Sequence, residues 1–183
     1  MLVTKIRTNM KKLQIVIGLI ALVFTSSCIK NELPVFDSQT VVEFDAASWN
    51  ANAAGLLYPV LTRVPGYGRA VLSSDPALSR TNTGIKKFRV NLVGQQNPNP
   101  VKVFYTVFAG STAIENVHYK TLKGELTIPA NSSYGEAEVE VLDPGPPATG
   151  TPSFRDLNII LTGGDNGVTS SVNYRVISLR IAQ

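Results

Sequence analysis

The chain has 183 residues, 44% of them hydrophobic, and a formal net charge of +4. Four of its 17 Lys and Arg and none of its 13 Asp and Glu fall within residues 1–27, so residues 28–183 hold 13 of each and no net charge. That balance gives no argument for nucleic-acid binding, which needs a basic footprint on the folded part, and the single Cys, at position 28, excludes an internal disulfide.

In chain order, Lys5, Arg7, Lys11 and Lys12 come first, and Leu13 to Phe24 is apolar except for Gln14 and Gly18. Thr25, Ser26 and Ser27 then lead to Cys28. A charged start, a short apolar stretch and small residues at a cleavage point describe an export signal over residues 1–27. Its apolar stretch falls short of the roughly 20 residues a helix needs to span a bilayer. Phe24-Thr25-Ser26-Ser27-Cys28 resembles the lipobox of bacterial lipoproteins, with Thr25 in place of the usual Leu, as in the looser lipoboxes of Bacteroidetes. The resemblance implies that Cys28 is acylated and becomes the first residue of the mature protein, with the membrane as its partner. Each buried methylene contributes ~0.8 kcal/mol, and a second acyl chain turns marginal anchoring into stable anchoring. Ile29-Lys30-Asn31-Glu32 resembles in part a Bacteroidetes signal for surface display, and reads equally as a polar tether. An outer-membrane lipoprotein is implied, with the cell-surface side favoured over the periplasm-facing side.

Residues 28–39, with Pro34, form the tether, and residues 40–183 read as one all-β domain. Apolar residues there recur with period two, the mark of half-buried strands. Val42 and Phe44 begin the pattern; Phe88, Val90 and Leu92 continue it, followed by Val101, Val103, Tyr105 and Val107. Leu126 and Ile128 stop at Pro129; Ala137, Val139 and Val141 alternate with Glu136, Glu138 and Glu140. Leu157, Ile159 and Leu161, then Ile177, Leu179 and Ile181, complete about seven strands. Breakers such as Asn97-Pro98-Asn99-Pro100, Asp143-Pro144-Gly145 and Gly163-Gly164-Asp165-Asn166-Gly167 separate them. This spacing predicts an immunoglobulin-like antiparallel β-sandwich.

Residues 46–85 break the rhythm as a long insertion between the first two main strands. Long insertions either cover a core or carry function. Three aromatics there are ligand-binding candidates: Trp49, Tyr58 and Tyr67. Sugar rings have apolar faces that stack on exposed aromatic rings. Size places Trp49 in the core first and on display second, whereas Tyr67, between Gly66 and Gly68, is read equally as displayed or packed. Leu56 to Leu61 reads as a further strand interrupted by Pro59.

Asn116-Val117-His118-Tyr119, then Gly124-Glu125-Leu126-Thr127-Ile128-Pro129-Ala130 and the strand to Asp143, resemble the Calx-beta domain. They are more similar still to Calx-beta-like lipoproteins of unknown function in Bacteroidetes. The resemblance covers residue 86 to the C-terminus and implies the sandwich. It also implies a glycan-binding role beside outer-membrane uptake proteins, since such relatives often sit near genes for glycan uptake. Calcium is the one cofactor it raises, with Glu43, Asp143, Asp165 and Asp45 as candidate oxygens. Calcium takes about six to eight oxygens, and His118 stands where the motif has its Asp. No cofactor is therefore expected, and these acids read as strand ends and turn caps.

His118 is the only histidine, and no G-x-S-x-G occurs, so neither a zinc site nor the common serine-hydrolase elbow is available. Glu136, Glu138 and Glu140 share one strand face at period two and read as a solvated face. A non-catalytic lipoprotein that binds polysaccharide is the leading expectation, and a structural or assembly subunit of an outer-membrane complex is the alternative. Cys28→Ala should abolish incorporation of labelled fatty acid by cells expressing the full chain; undiminished labelling would count against acylation at this residue.

Overall fold

The computed structural model describes residues 39–183; residues 1–38, on which the expected export signal, Cys28 and most of the expected tether fall, lie outside the described residues. The elements are β1 (Val41–Phe44), α1 (Asp45–Trp49), β2 (Val60–Leu61), β3 (Gly84–Val93), β4 (Val101–Val107), β5 (Glu125–Ile128), β6 (Tyr134–Val141), β7 (Phe154–Gly164), β8 (Thr169–Ser170) and β9 (Val176–Ala182).

The alternation read from the sequence decides which face of each strand is buried. On β3, Phe88, Val90 and Leu92 point inward, and Lys87, Arg89 and Asn91 point outward. On β6, Ala137, Val139 and Val141 are buried behind the three glutamates. Two sheets result, a four-stranded one in the order β6-β3-β1-β8 and a five-stranded one in the order β2-β9-β7-β4-β5. Their inner faces meet in one core, with Phe44, Phe88 and Val90 opposite such residues as Val103, Leu157, Ile159 and Leu179. Burying each such side chain contributes about 1.5–3 kcal/mol. The expected sandwich is present, and its seven main strands pair antiparallel with one another.

Three features depart from the sequence expectation. β2, which keeps only the last two residues of the Leu56–Leu61 run read as a further strand, and β8, also of two residues, raise the count among the described residues to nine and pair in parallel, with β9 and β1 respectively. Strands this short have no period to read. Asp45, placed by alternation at the end of the first strand, instead opens the five-residue α1, where Ala46 and Ala47 turn into the core.

The insertion, which runs between β1 and β3, is no bare loop. It crosses to the five-stranded sheet, adds β2 alongside β9, and returns through an Arg63–Ala77 antiparallel bridge. Leu61 and Leu78 are only 2% and 1% exposed, so this segment completes the core. The covering role considered for it is thus real, while Trp49 and Tyr67 of the same insertion are exposed. Among the described residues no helix is long and apolar enough to cross a membrane. Truncating a buried leucine leaves a cavity that costs ~2–5 kcal/mol. Leu78→Ala should lower unfolding free energy by that amount in urea titration, and a loss under ~0.5 kcal/mol, the scale of a surface substitution, would show that the insertion packs loosely.

Candidate functional site

The outer face of the four-stranded sheet carries a depression of about 410 Å³ beside the insertion. Trp49, Tyr67, Glu43, Asp45, Arg89 and Asn91 line it, with Ser48 and Gly68. The sheet supplies its floor: Glu43 of β1 lies opposite Asn91 of β3 in the antiparallel register, and both are on the outward phase. The insertion supplies its walls at two separate points, the end of α1 and the turn at Tyr67.

Hydrogen bonds hold these walls in place. Asp45 is buried and accepts from Asn91 Nδ2 at 3.0 Å and from the Gly68 amide at 2.8 Å, tying sheet and loop together. Asn50, just after α1, accepts the Val71 amide at 3.0 Å. Arg69 forms a two-pronged pair with Asp75, whose carboxylate also accepts the Leu72 amide. The Arg69 guanidinium, helped by that amide, holds the Asp75 carboxyl well below its usual range, at about 2. The glycines around Tyr67 suit this turn. A Cβ on Gly66 would lie 2.6 Å from the Arg69 guanidinium, and Gly68 has φ +68°, in the left-handed region that favours glycine.

Tyr67 is 46% exposed, and its hydroxyl donates to Glu136, which also takes Lys87 Nζ at 2.8 Å. Partial burial first, and the bond to Glu136 second, push the Tyr67 hydroxyl up to about 12. Its ring centre lies 5.6 Å from the Arg89 guanidinium carbon, and the Tyr134 ring centre lies 4.0 Å from that carbon. Arg89 Nε donates to Asn91 Oδ1 at 2.8 Å, and among the described residues no acceptor reaches its two terminal nitrogens. Burial and the neighbouring charge of Asp45 raise the Glu43 carboxyl, opposed by the Asn91 amide.

Trp49 closes α1 and is 54% exposed. The core placement expected from its size is therefore corrected: α1 is a single short turn that buries Ala46 and Ala47, and Trp49 falls off their side. Tyr58 does not join the site. It is half-buried at the five-stranded sheet, its ring edge-on to Phe108 with centres 6.1 Å apart. The structure thus brings Trp49 and Tyr67 to one depression and leaves Tyr58 out. Sequence reading weighed Glu43 and Asp45 as metal ligands or as strand ends and turn caps, and passed over Arg89, Asn91 and Tyr134 as site residues. Their outward phase on strands was the signal that could have flagged them.

The acidic candidates are dispersed. Asp143 follows the far end of β6, where it accepts the Gly145 amide and Arg80 Nη1, and these hold its carboxyl below the usual range. Asp165 lies in the turn after β7, its amide bonded to the Lys102 carbonyl. Among the described residues no group of three or more His, Cys, Asp or Glu converges as a metal cluster, and both Asp45 oxygens already accept protein donors. These residues do not fit calcium. His118 is buried and accepts the Ile114 amide at Nδ1, organising its turn. Burial, its main influence, lowers the imidazole's pKa. Glu136 and Glu138 face solvent and pair with Lys87 and Lys123.

No protein-family model matches the chain, and no curated protein does. Among solved structures it is similar to the apo-form CBD1 domain of Calx, at 17% identity and TM-score 0.48, over 80% of this chain and 100% of that one. It is similar to a suspected carbohydrate binding protein of Bacteroides ovatus, at 13% identity and TM-score 0.40, over 55% of this chain and 32% of the other. A two-domain protein of unknown function from Bacteroides fragilis is similar at 9% identity and TM-score 0.46, over 79% of this chain and 45% of that one. At such scores the strand order and register themselves define the sandwich, and the likenesses carry nothing about function.

The raised Glu43 carboxyl has a measurable consequence. The folded chain holds this proton more tightly than the unfolded chain, so stability falls as pH rises from the ordinary glutamate value of 4.5 through the folded value. Glu43→Gln, a neutral mimic of the protonated acid, should raise Tm at neutral pH, with the gain shrinking in acid below that range. An equal gain at both pH values would show that ionisation of Glu43 is not the cause.

Proposed function

We propose that this protein is a non-catalytic, membrane-anchored lipoprotein whose sandwich binds glycan, as an accessory module of an outer-membrane uptake system. The observation that carries the binding reading is the convergence of Trp49 and Tyr67 on one depression floored by Glu43, Arg89 and Asn91. Displayed rings offer flat apolar surface to sugar C–H faces. The carboxylates, amide and free guanidinium nitrogens beside them match the mixture of donors and acceptors in sugar hydroxyls. The Tyr67 ring is held by Glu136 and by the Asp45–Gly68 tie, so it loses little conformational freedom on binding. Non-catalytic action is supported by the position of His118, which is engaged in its own turn away from the depression.

The structural-subunit reading is favoured by one observation, the outward apolar side chains of Leu57 and Val172, 86% and 83% exposed. Co-purification of a partner protein that is lost with Leu57→Ser would support it.

Retention of the full chain, purified in detergent, on immobilised starch, xylan, mannan and arabinan tests the glycan reading, with and without calcium. Trp49→Ala and Tyr67→Ala should each weaken the retained interaction by roughly tenfold or more, about 1.4 kcal/mol. Unchanged affinity in both variants, or no retention of folded wild-type protein by any polysaccharide, would sink the reading.

A further inference from the structure

A second depression, of about 350 Å³, lies on the same outer face. Val64, Pro65, Pro76, Ile85 and Lys87 line it, and the only residue it shares with the first is Tyr67. The two follow one strand. Ile85, Lys87, Arg89 and Asn91 all stand on the outward phase of β3, with Arg89 and Asn91 in the first depression and Ile85 and Lys87 in the second. At ~3.4 Å per residue, Arg89 and Ile85 are roughly 14 Å apart along the strand. Tyr67 lies between them: its hydroxyl bonds Glu136, which is opposite Arg89 in register and paired with Lys87.

The two depressions differ in chemistry. The first is rich in charged and amide groups. The second is mostly apolar, with two prolines, a valine and the 57% exposed Ile85. A small ligand resting against Trp49 leaves Ile85 untouched. A chain of linked sugars running along β3 meets both, with its polar edges toward Arg89 and Asn91 and an apolar ring face toward Ile85.

We infer that the ligand is an oligosaccharide chain laid along β3, with the two depressions as consecutive subsites and the Tyr67 ring as the contact between them. This rests on the glycan-binding reading above and adds ligand length and a second set of contact residues. No other function for the exposed Ile85 or for the groove beside it is needed, because continuity through Tyr67 joins it to the first site.

The test is calorimetry on the full chain in detergent, with size ladders from monosaccharide to octasaccharide cut from starch, xylan, mannan and arabinan. Affinity should climb with length until both subsites are filled. Ile85→Asp should weaken the longest fragments roughly tenfold, the loss expected from one apolar contact, and leave the shortest unchanged. Ile85→Thr, which keeps a β-branched residue in the strand, should show the same pattern more weakly, with wild-type Tm. Trp49→Ala should weaken every length. Affinity independent of length, or an Ile85→Asp protein that binds long fragments like wild type while Trp49→Ala fails, would overturn the second subsite and leave the first standing. Absence of binding to any fragment by folded wild-type protein would overturn both.

Discussion

Phe88, Val90 and Leu92 are buried between the two sheets, and this burial holds Lys87, Arg89 and Asn91 on the opposite face of the same strand. A strand alternates strictly, so shifting β3 by one residue would send three large apolar side chains into water and three polar ones into the core. The penalty runs to several kcal/mol by area alone. β3 is also paired on both sides, by β1 and β6. Its neighbours therefore inherit its register, and the outer face becomes a fixed array of Glu43, Asn91, Arg89, Tyr134 and Glu136. The binding site proposed for this protein stands on that array.

The insertion adds what the sheet lacks. It is anchored in the core by Leu61 and Leu78 and at the sheet surface by Asp45, which accepts both the Asn91 side-chain amide and the Gly68 backbone amide. Between these anchors it can present rings without floating. Tyr67 is held through its hydroxyl, and Arg89 is stacked against Tyr134, an arrangement whose attraction is about 0.5–1 kcal/mol where exposed. Aromatic groups held this way before a ligand arrives lose little entropy on contact, which is how a shallow surface site gains affinity. The same anchoring explains why a segment with almost no regular structure folds at all: its backbone amides at Gly68, Val71 and Leu72 are satisfied by side-chain oxygens.

The sandwich was legible because period-two alternation is a local property. Glu136, Glu138 and Glu140 read as a solvated face for the same reason, and they face solvent. Trp49 was misplaced because side-chain size predicts burial only on average. Its exposure follows from α1, a turn too short to show a helical period. Tyr67 was legible in half: the flanking glycines marked a turn, and nothing local could reveal that the turn lies over Arg89. Arg89 and Asn91 were visible as outward-facing residues and carried no sign of a binding role until the insertion was folded beside them.

By itself the sequence determined the strand faces, the turns, the neutral charge of residues 28–183 and the absence of an internal disulfide, because each is set by residue identity and near neighbours along the chain. Only the tertiary structure decided that Trp49 and Tyr67 meet, that Tyr58 does not join them, and that Glu43, Asp143 and Asp165 stay apart. Those outcomes depend on contacts between residues tens of positions distant, such as Asp45 with Gly68 and Tyr67 with Glu136. Such contacts follow from the return path of the insertion across the outer face, which leaves no periodic trace in the chain.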